Sequence, residues 1–498
     1  MLFNSLQFLI FFPIVLLLYY VIPQKARYIW LLISSYYFYM CWNAKYALLL
    51  LFSTAITYIC GLLMENVKQK NWKETKIIFY KKLYLIISFM LNLSVLFFFK
   101  YFNFAFSTLN HAFSLIHINL NKPTFDVLLP VGISFYTFQA LGYTIDVYRN
   151  DIYAEKNFFR YALFVSFFPQ LVAGPIERSK NLLKQLAKPS AANFDTIREG
   201  LFLMLWGFFL KIVLADRIAI FVDTVYNNYN TYGGMYLIVA TLLFAVQIYC
   251  DFSGYSIIAM GTSKMLGINL MENFNAPYLS KSASEFWRRW HISLSSWFKD
   301  YLYIPLGGNR KGKLRKYINI IITFSVSGLW HGANWTYVIW GLLNGIYQVL
   351  GQILAPIRKV LIRLLDLKED SLSHNALRII WTNILICFSW IFFRAPGLHA
   401  SVEILDSIVN MDNLYILFND ALYKCGLDQK NFHLMLLGIC ILCFADFCKY
   451  RGIKIRAILA KQDWWFQCLL ISFSVCLLLL FGIWGTQYNE ASFIYFQF

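Results

Sequence analysis

Long apolar runs are the feature that most limits what this chain can fold into. Residues 83–99 read LYLIISFMLNLSVLFFF, and comparable runs occupy 234–250 and 464–484. A helix of about 20 such residues crosses the hydrocarbon core of a bilayer. Only 14% of the residues are charged, against about a quarter in ordinary soluble domains. The chain is therefore predicted to be an all-α membrane protein that crosses the bilayer many times.

About ten or eleven segments are apolar enough to be interpreted as such crossings. The first lacks a basic stretch before it and a small-residue cleavage site after it, which favours a retained helix over a signal peptide. No repeat or long linker divides the chain, so residues 1–498 are predicted to form a single membrane-embedded domain. These crossings come from twelve apolar segments, of which 157–173 is expected to re-enter without crossing: 7–22, 28–42, 46–64, 83–102, 127–145, 157–173, 199–222, 234–250, 317–345 (one span or two short helices), 377–393, 433–447 and 464–484.

The basic residues lie mainly in short loops between these segments. The formal net charge is +18, and loop 65–82 carries six lysines against two glutamates, whereas 103–126 carries one lysine and one aspartate. Because lysine and arginine are enriched in cytoplasmic loops, 65–82 is predicted to be cytoplasmic, and the charge reports orientation and not nucleic-acid binding. Loop 174–200 is also basic and breaks the alternation. We therefore expect 157–173, which Pro169 interrupts, to re-enter the membrane without crossing it.

Residues 286–297 read FWRRWHISLSSW and place two arginines and a histidine among tryptophans. At about 100° per residue, Arg288, His291 and Lys299 would share one face of a helix, opposite Trp290. This pattern is typical of a helix at the membrane surface, with its basic face on lipid phosphates. It also fits a helix that lines the entrance for a phosphate-bearing substrate. The candidate ligand-binding residues are Trp287, Arg288, Arg289, Trp290 and Lys299.

His331 lies at the middle of an apolar stretch, 317–345, that contains no acidic or basic side chain. An ionisable residue in such a place is a candidate for a functional role, because burial in lipid is costly. Burial also disfavours the charged imidazole, so a neutral His331 is suited to accept a proton from a hydroxyl nucleophile. Asn334 is placed to fix its tautomer, and Trp330 and Trp335 to wall a dry pocket. The alternative is a histidine that only hydrogen-bonds between helices.

A further polar residue, Asp251, follows Gln247 by one helical turn inside an apolar run. It is interpreted either as part of a proton route near the pocket or as the cap of a helix that begins at Phe252. The sequence contains no Gly-x-Ser-x-Gly elbow, no HExxH motif and no phosphate-binding Walker loop. Serine, zinc and nucleotide-hydrolysis chemistries are therefore disfavoured, and no metal site is predicted.

Motifs spread over most of the chain together carry a family resemblance. EFWRRWHISLSSWFKDYLYIPLGGNR at 285–310 is followed by SGLWHGANW at 327–335. With the other matching stretches, these resemble the membrane-bound O-acyltransferase superfamily, and most closely its bacterial branch of alginate O-acetylation membrane proteins. The other stretches are LPVGISFYTFQALGYTIDVYR at 129–149, FPQLVAGPIER at 168–178, QIYCDFSGYSIIAMG at 247–261 and FIYFQF at 493–498.

The resemblance implies about eleven spanning helices, with re-entrant and amphipathic pieces, around a central funnel or tunnel. It implies transfer of an acyl group from a cytoplasmic thioester to a hydroxyl, with His331 as the catalytic histidine and His291 as the second family histidine. The expected donor is acetyl-CoA, with no permanently bound cofactor. The expected partners are a polysaccharide acceptor and a secreted or membrane-anchored acyltransferase of the SGNH type. The expected location is the bacterial inner membrane, with many passes through the bilayer.

Two alternatives remain open from the sequence. Within the same superfamily, the chain could carry D-alanine from a carrier protein to teichoic acid, although the chain length and the ending FIYFQF favour the acetylating branch. In another class, it could be a transporter that uses His331 and Asp251 for proton coupling. Many transporters show paired repeats with matching broken helices, and the sequence shows none.

Overall fold

A computed structural model describes residues 1–118, 129–172, 174–188 and 191–484 of the chain. Every regular element in these ranges is a helix, which confirms the predicted all-α class. Position 173 of the FPQLVAGPIER motif and the terminal motif at 493–498 lie outside the described residues. The chain divides into two compact units. The first comprises Met1–Leu201 and Ile258–Met271, and the second comprises Phe202–Ile257 and Glu272–Phe498.

Six helical stretches among the described residues are long and apolar enough to cross a membrane. A seventh qualifies if two helices joined at a bend of 51°, Trp335–Ile353 and Ala355–Leu364, form one broken span. Several predicted crossings are shorter or interrupted in the structure; residues 28–42, for example, form a helix of only 14 residues, Arg27–Met40. The six stretches are Ala44–Lys68, Glu74–Ser114, Met235–Met265, Leu372–Arg394, Gln429–Tyr450 and Trp464–Phe481.

The first unit is built around a helix that is buried along nearly its whole length. This helix, Ile133–Arg149, is buried from Ile133 to Val147. A β-carbon on Gly61 would lie only 2.9 Å from the ring of Tyr143 on this helix, so glycine allows the close approach. The helices of the unit are α1 Leu6–Val21, α2 Arg27–Met40, α3 Ala47–Lys68, α4 Glu74–Leu96, α5 Phe102–Ser114, α6 Ile133–Arg149, α7 Phe158–Ser166, α8 Phe168–Leu171, α9 Ser179–Ala187 and the first part of α10, Phe194–Phe208.

The segment predicted to re-enter the membrane is folded as two short helices, α7 and α8. Nine residues of α7 rise about 14 Å, less than half the thickness of the hydrocarbon core. Between them the backbone leaves the helical conformation at Phe167, with φ −52° and ψ 109°. Its polar backbone groups find partners within the protein: the Phe168 amide donates to Ser35 Oγ at 3.1 Å, and Gln139 Nε2 donates to the Phe164 carbonyl at 2.6 Å. Such internal partners are what broken backbone requires at membrane depth.

The second unit contains all the candidate site residues that the sequence predicts. A π-helical segment, Phe209–Ala215, connects α10 to the next helix, which begins at Asp216. Its Ile212 carbonyl accepts a hydrogen bond from the Ile483 amide at 3.0 Å, so the chain after the last described helix is tied back to this segment. The remaining helices are α11 Asp216–Asn227, α12 Met235–Met265 (its residues from Ile258 onward belong to the first unit), α13 Ala283–Arg289, α14 Ile292–Phe298, α15 Gly312–His331, α16 Trp335–Ile353, α17 Ala355–Leu364, α18 Leu372–Arg394, α19 Leu398–Val409, α20 Gln429–Tyr450, α21 Ile455–Leu459 and α22 Trp464–Phe481.

The apolar stretch 317–345, interpreted as one span or two short helices, contains parts of two helices of 20 and 19 residues, α15 and α16, which form a tight hairpin. Glycines allow their backbones to touch: a β-carbon on Gly328 would overlap the Tyr337 carbonyl, and one on Gly341 would overlap the Phe324 carbonyl. Helix α15 ends at His331, and α16 begins after the cap residue Asn334. The hairpin therefore fixes where His331 lies relative to α16.

Replacing Gly328 with alanine should destabilise the hairpin, because the new methyl group overlaps backbone that cannot move aside cheaply. Overpacking of this kind typically costs about 1–3 kcal/mol. Gly351 of α16 is the matched control, because a β-carbon added there would meet nothing within 4 Å. The thermal midpoint of the detergent-purified protein should fall for Gly328→Ala and be unchanged or slightly raised for Gly351→Ala. Equal midpoints for the two variants would contradict the close packing of α15 on α16.

Candidate active site

The stretch predicted to form one amphipathic helix is in fact bent. Helix α13 ends at Arg289, α14 begins at Ile292, and His291 between them has φ +45° and ψ +54°. For a residue with a side chain, this left-handed conformation costs roughly 1–2 kcal/mol. The prediction that Arg288, His291 and Lys299 share one helical face is therefore wrong, because the helix does not continue through His291.

Hydrogen bonds from a preceding loop segment hold this bend. The Ile292 amide donates to the Asn273 carbonyl at 3.0 Å. The Ser293 amide donates to the side-chain oxygen of Asn273 at 3.1 Å, and the Asn275 amide donates to the Arg289 carbonyl at 2.9 Å. These bonds bracket His291 on both sides and stabilise a conformation that the local sequence does not favour. The role of Asn273 could not be predicted, because nothing in its immediate sequence indicates the contact.

The bend places His291 beside His331. The two imidazole ring centroids are 6.4 Å apart, and the side chains of both residues are buried, with 0% and 4% of their surface exposed. The two histidines that the sequence analysis singled out therefore lie together in the second unit. Burial lowers the pKa of His291 to about 3, so its imidazole is neutral at physiological pH.

Aromatic side chains enclose His331. Its ring centroid lies 5.0 Å from that of Trp330, 5.0 Å from that of Trp340 and 5.6 Å from that of Phe393. Trp330 is buried as predicted for a pocket wall, whereas Trp335 is 47% exposed, so only Trp330 is enclosed with the histidine. Trp340 and Phe393 were missed, because they lie 9 or more positions further along the chain and only the fold brings them close.

A second layer of aromatic residues supports this enclosure. Trp287 Nε1 donates a hydrogen bond to Asn344 Oδ1 at 3.1 Å, which fixes α13 against α16. Trp390 of α18 stacks on Trp340 with ring centroids 5.6 Å apart, and Trp290 lies 5.3 Å from Trp390. Trp287 and Trp290, predicted as ligand contacts, are thus buried packing residues behind the histidines.

The three candidate cations differ in what they contact. Arg288 and Lys299 are exposed at the surface of the unit. Arg289 is half-buried: it forms an ion pair with Glu285 at 2.9 Å, donates to the Asn275 carbonyl at 3.1 Å and lies over the ring of Tyr450. The structure therefore leaves Arg288 and Lys299 accessible for an anionic ligand and uses Arg289 to hold α13.

Asn334 and Asp251 have defined contacts. Asn334 caps α16, its side-chain oxygen accepting from the Thr336 amide at 3.1 Å. Asp251 lies inside α12, so the interpretation of it as a helix cap is wrong. Its carboxylate is 2.7 Å from the ammonium of Lys211. Lys211 was not among the predicted site residues, although a single lysine in the apolar run 201–215 is a signal in the sequence.

Comparison with known proteins identifies the family of this chain. Residues 38–395 match the family model of MBOAT, the membrane-bound O-acyltransferase family. The chain is 36% identical over 456 residues to a probable alginate O-acetylase AlgI of Pseudomonas putida, covering 91% of this chain and 89% of that protein. It is 31% identical over 541 residues to a peptidoglycan O-acetyltransferase of Helicobacter pylori, covering 100% and 98%. It is 28% identical over 313 residues to a teichoic acid D-alanyltransferase of Bacillus subtilis, covering 57% and 73%.

The fold is that of an all-helical membrane protein, and two buried histidines lie among aromatic rings in it. The family model matches most of the length of this chain. The chain belongs to the membrane-bound O-acyltransferase family. It is an O-acyltransferase, as its relatives are, and this family assignment favours the enzyme over the transporter alternative.

Removing the side chain of Asn273 should impair acyl transfer more than it impairs stability. Asn273→Ala deletes one of the bonds that hold the bend, a loss of about 1–2 kcal/mol, and frees His291 to leave its position beside His331. Asn92, an asparagine buried in the first unit with a side-chain bond to Ser53, is the matched control. Acyl transfer per folded molecule should fall at least about tenfold for Asn273→Ala and stay near normal for Asn92→Ala. Comparable activity in both variants would argue against a role for Asn273.

Proposed function

We propose that this protein passes an acetyl group from cytoplasmic acetyl-CoA to a hydroxyl group of a polysaccharide outside the cytoplasm. The observation that carries the proposal is the pair of buried histidines, 6.4 Å apart, inside a shell of aromatic rings. The names of the relatives support the chemistry, because alginate and peptidoglycan O-acetylation both join acetyl groups to polysaccharide hydroxyls.

In the proposed reaction, His331 acts as the general base. It takes the proton of the acceptor hydroxyl while that oxygen attacks the thioester carbonyl carbon, and a carbon–oxygen bond forms. The carbon–sulfur bond then breaks, and the proton passes from the imidazolium to the departing thiolate, giving an ester and free CoA. General-base catalysis of this kind typically accelerates a reaction by about 10²–10⁴-fold.

The aromatic enclosure has a chemical purpose in this proposal. Water that reached the thioester would compete with the acceptor hydroxyl and waste the donor by hydrolysis. Trp330, Trp340 and Phe393 surround the His331 ring with apolar surface and so keep bulk water away from it. The same low polarity favours a neutral imidazole, the form that can accept a proton.

His291 is assigned a supporting role next to His331. Because burial keeps the pKa of its imidazole at about 3, it carries no charge at physiological pH and is not an anchor for the phosphates of the donor. A neutral imidazole can donate one hydrogen bond and accept another. We assign it to orienting the donor carbonyl or the acceptor hydroxyl beside His331.

The donor is proposed to dock through its phosphates on the exposed cations Arg288 and Lys299. Arginine and lysine both bind phosphate, arginine with two parallel bonds. The loops predicted to be cytoplasmic are rich in these residues, which fits a donor made in the cytoplasm and a protein in the bacterial inner membrane. About eleven spans around a central funnel, as in the family resemblance, would let the donor and the acceptor reach His331 from opposite faces.

The acceptor side is proposed to involve a second protein. An acyltransferase of the SGNH type, secreted or anchored in the membrane, would accept the acetyl group on a serine hydroxyl and pass it to the polymer. The membrane enzyme would then supply acetyl groups across the bilayer, and the partner would select the polysaccharide.

D-alanyl transfer is the second candidate, favoured by the match to a teichoic acid D-alanyltransferase. That match covers 57% of this chain, against 100% for the peptidoglycan O-acetyltransferase. Incubating the purified protein with acetyl-CoA in one reaction and with a D-alanyl carrier protein in another separates the two. Release of free CoA supports the acetyl donor, and consumption of only the D-alanyl thioester overturns it.

Replacing His331 with alanine should abolish polymer acetylation, because the proposed base is lost. We expect polymer-bound acetate to fall by about 10²-fold or more in cells that make normal amounts of the protein. His399, which is 87% exposed, is the matched control, and His399→Ala should leave acetylation unchanged. Near-normal acetylation by His331→Ala would refute the assigned role.

Removing the two exposed cations should weaken donor binding. The double variant Arg288→Ala, Lys299→Ala should raise KM for acetyl-CoA with kcat little changed, since these side chains contact the phosphates and not the reacting atoms. Added salt should reduce the difference from the wild type. An unaltered KM would contradict donor binding and would favour the alternative in which residues 286–297 bind lipid phosphates at the membrane surface.

A further inference from the structure

A buried group of charges lies in the second unit, outside the histidine enclosure. The ammonium of Lys211 is 2.8 Å from a carboxylate oxygen of Asp216 and 2.7 Å from one of Asp251. The three side chains are only 1–3% exposed. Charges so deeply buried are expensive to keep, and within a membrane protein they mark functional positions by default. The proposed acyl transfer does not use them.

The two ion pairs of Lys211 connect different parts of the fold. Asp216 begins α11 directly after the π-helical segment that carries Lys211, so this pair stays within one stretch of chain. Asp251 belongs to α12, so the second pair joins the π-helical segment to a separate helix. The backbones also meet there: a β-carbon on Gly254 would lie 2.8 Å from the Gly207 carbonyl and 3.1 Å from the Lys211 amide.

The opposite face of α12 packs against the histidine site. Phe252 contacts His291 with ring centroids 4.6 Å apart, and Tyr249 lies 6.0 Å from Trp290. At about 100° per residue, Tyr249 and Phe252 project from the side of α12 opposite to Asp251 and Gly254. Helix α12 thus separates the ion pair from the histidine and contacts both.

We propose that Lys211 is a positioning residue for the acyl-transfer site. By holding Asp251, it fixes the rotation of α12 about its own axis, and that rotation decides where Phe252 presses on His291. The imidazole of His291, already in a left-handed backbone conformation, is thereby kept in the orientation that it needs beside His331. This inference rests on the proposed role of the two histidines, and it assigns a task to charges that the reaction itself leaves unused.

The chain offers a matched pair of variants for this proposal. Asp251→Asn removes the pair that reaches α12 and leaves the Lys211–Asp216 pair in place. Asp216→Asn removes the other pair and leaves Lys211–Asp251 in place. Both variants delete one buried carboxylate from the same group, so a purely structural role predicts similar effects, whereas positioning through α12 predicts different ones.

The measurements are kcat and KM for acetyl-CoA, the pH profile of kcat and the thermal midpoint of the purified full-length protein. We expect Asp251→Asn to lower kcat at least tenfold, with KM within twofold, and to shift the pH profile of kcat. Asp216→Asn should keep kcat within threefold and the pH profile unchanged. Lys211→Arg, which keeps the charge, should retain more activity than Lys211→Met.

A second variant tests the same path when Asp251→Asn does not fold. Phe252→Leu keeps the ion pairs but removes the ring that contacts His291, and it should reproduce the loss of kcat at unchanged KM. Equal losses of kcat in the two aspartate variants, in proportion to their thermal midpoints, would overturn the proposal, as would wild-type kcat in Phe252→Leu. Failure of the proposed function is seen separately, because His331→Ala would then keep its activity.

Discussion

The hydrogen bonds that hold the bend at His291 are the constraint on which the site depends. Left to its local sequence, FWRRWHISLSSW would continue as one helix, and His291 would lie on the same face as exposed cations. Bonds from Asn273 and Asn275 to the residues on either side of His291 make the left-handed conformation favourable. The histidine is thereby moved from a surface face into the interior beside His331, and the cations stay outside. This single change of direction therefore separates the buried His291 from the exposed Arg288 and Lys299.

Two sets of buried polar side chains in the second unit have different neighbours. The two histidines pack against aromatic rings, and burial lowers the pKa of His291. Lys211 is instead surrounded by carboxylates, and Arg217 donates to the Phe481 carbonyl at 2.8 Å and to the Asn431 side chain at 3.2 Å. Both cations lie in or next to the π-helical segment, where the Ile212 carbonyl also receives a bond from Ile483. The two histidines thus pack against apolar rings, whereas Lys211 and Arg217 connect separate helices.

Much of this arrangement could be predicted from sequence, because it depends on local patterns. The apolar runs predicted the all-helical membrane class. Pro169 and the basic loop after it indicated the broken segment. His331 was identified because it is the one ionisable side chain in the apolar stretch 317–345. The bend could not be predicted, because residues 289–292 contain no glycine or proline. The hydrogen bonds that hold the bend come from residues 273–275, which are distant in sequence. The partner of Asp251 lies 40 positions earlier, and the rings of Trp340 and Trp390 reach the site only through folding. Six or seven helical stretches among the described residues are long and apolar enough to cross a membrane, and the run 199–222 contains a π-helical segment with the buried Lys211.

The concentration of indole rings around the histidines has a practical consequence. Five of the fifteen tryptophans of the chain, Trp287, Trp290, Trp330, Trp340 and Trp390, belong to the enclosure and its supporting layer. Because indole emission depends on the polarity around the ring, the proposed donor would alter about a third of the natural fluorophores at once if it entered this space. Its binding would then be followed by the intrinsic fluorescence of the protein, without a thiol-directed dye on a chain with ten cysteines.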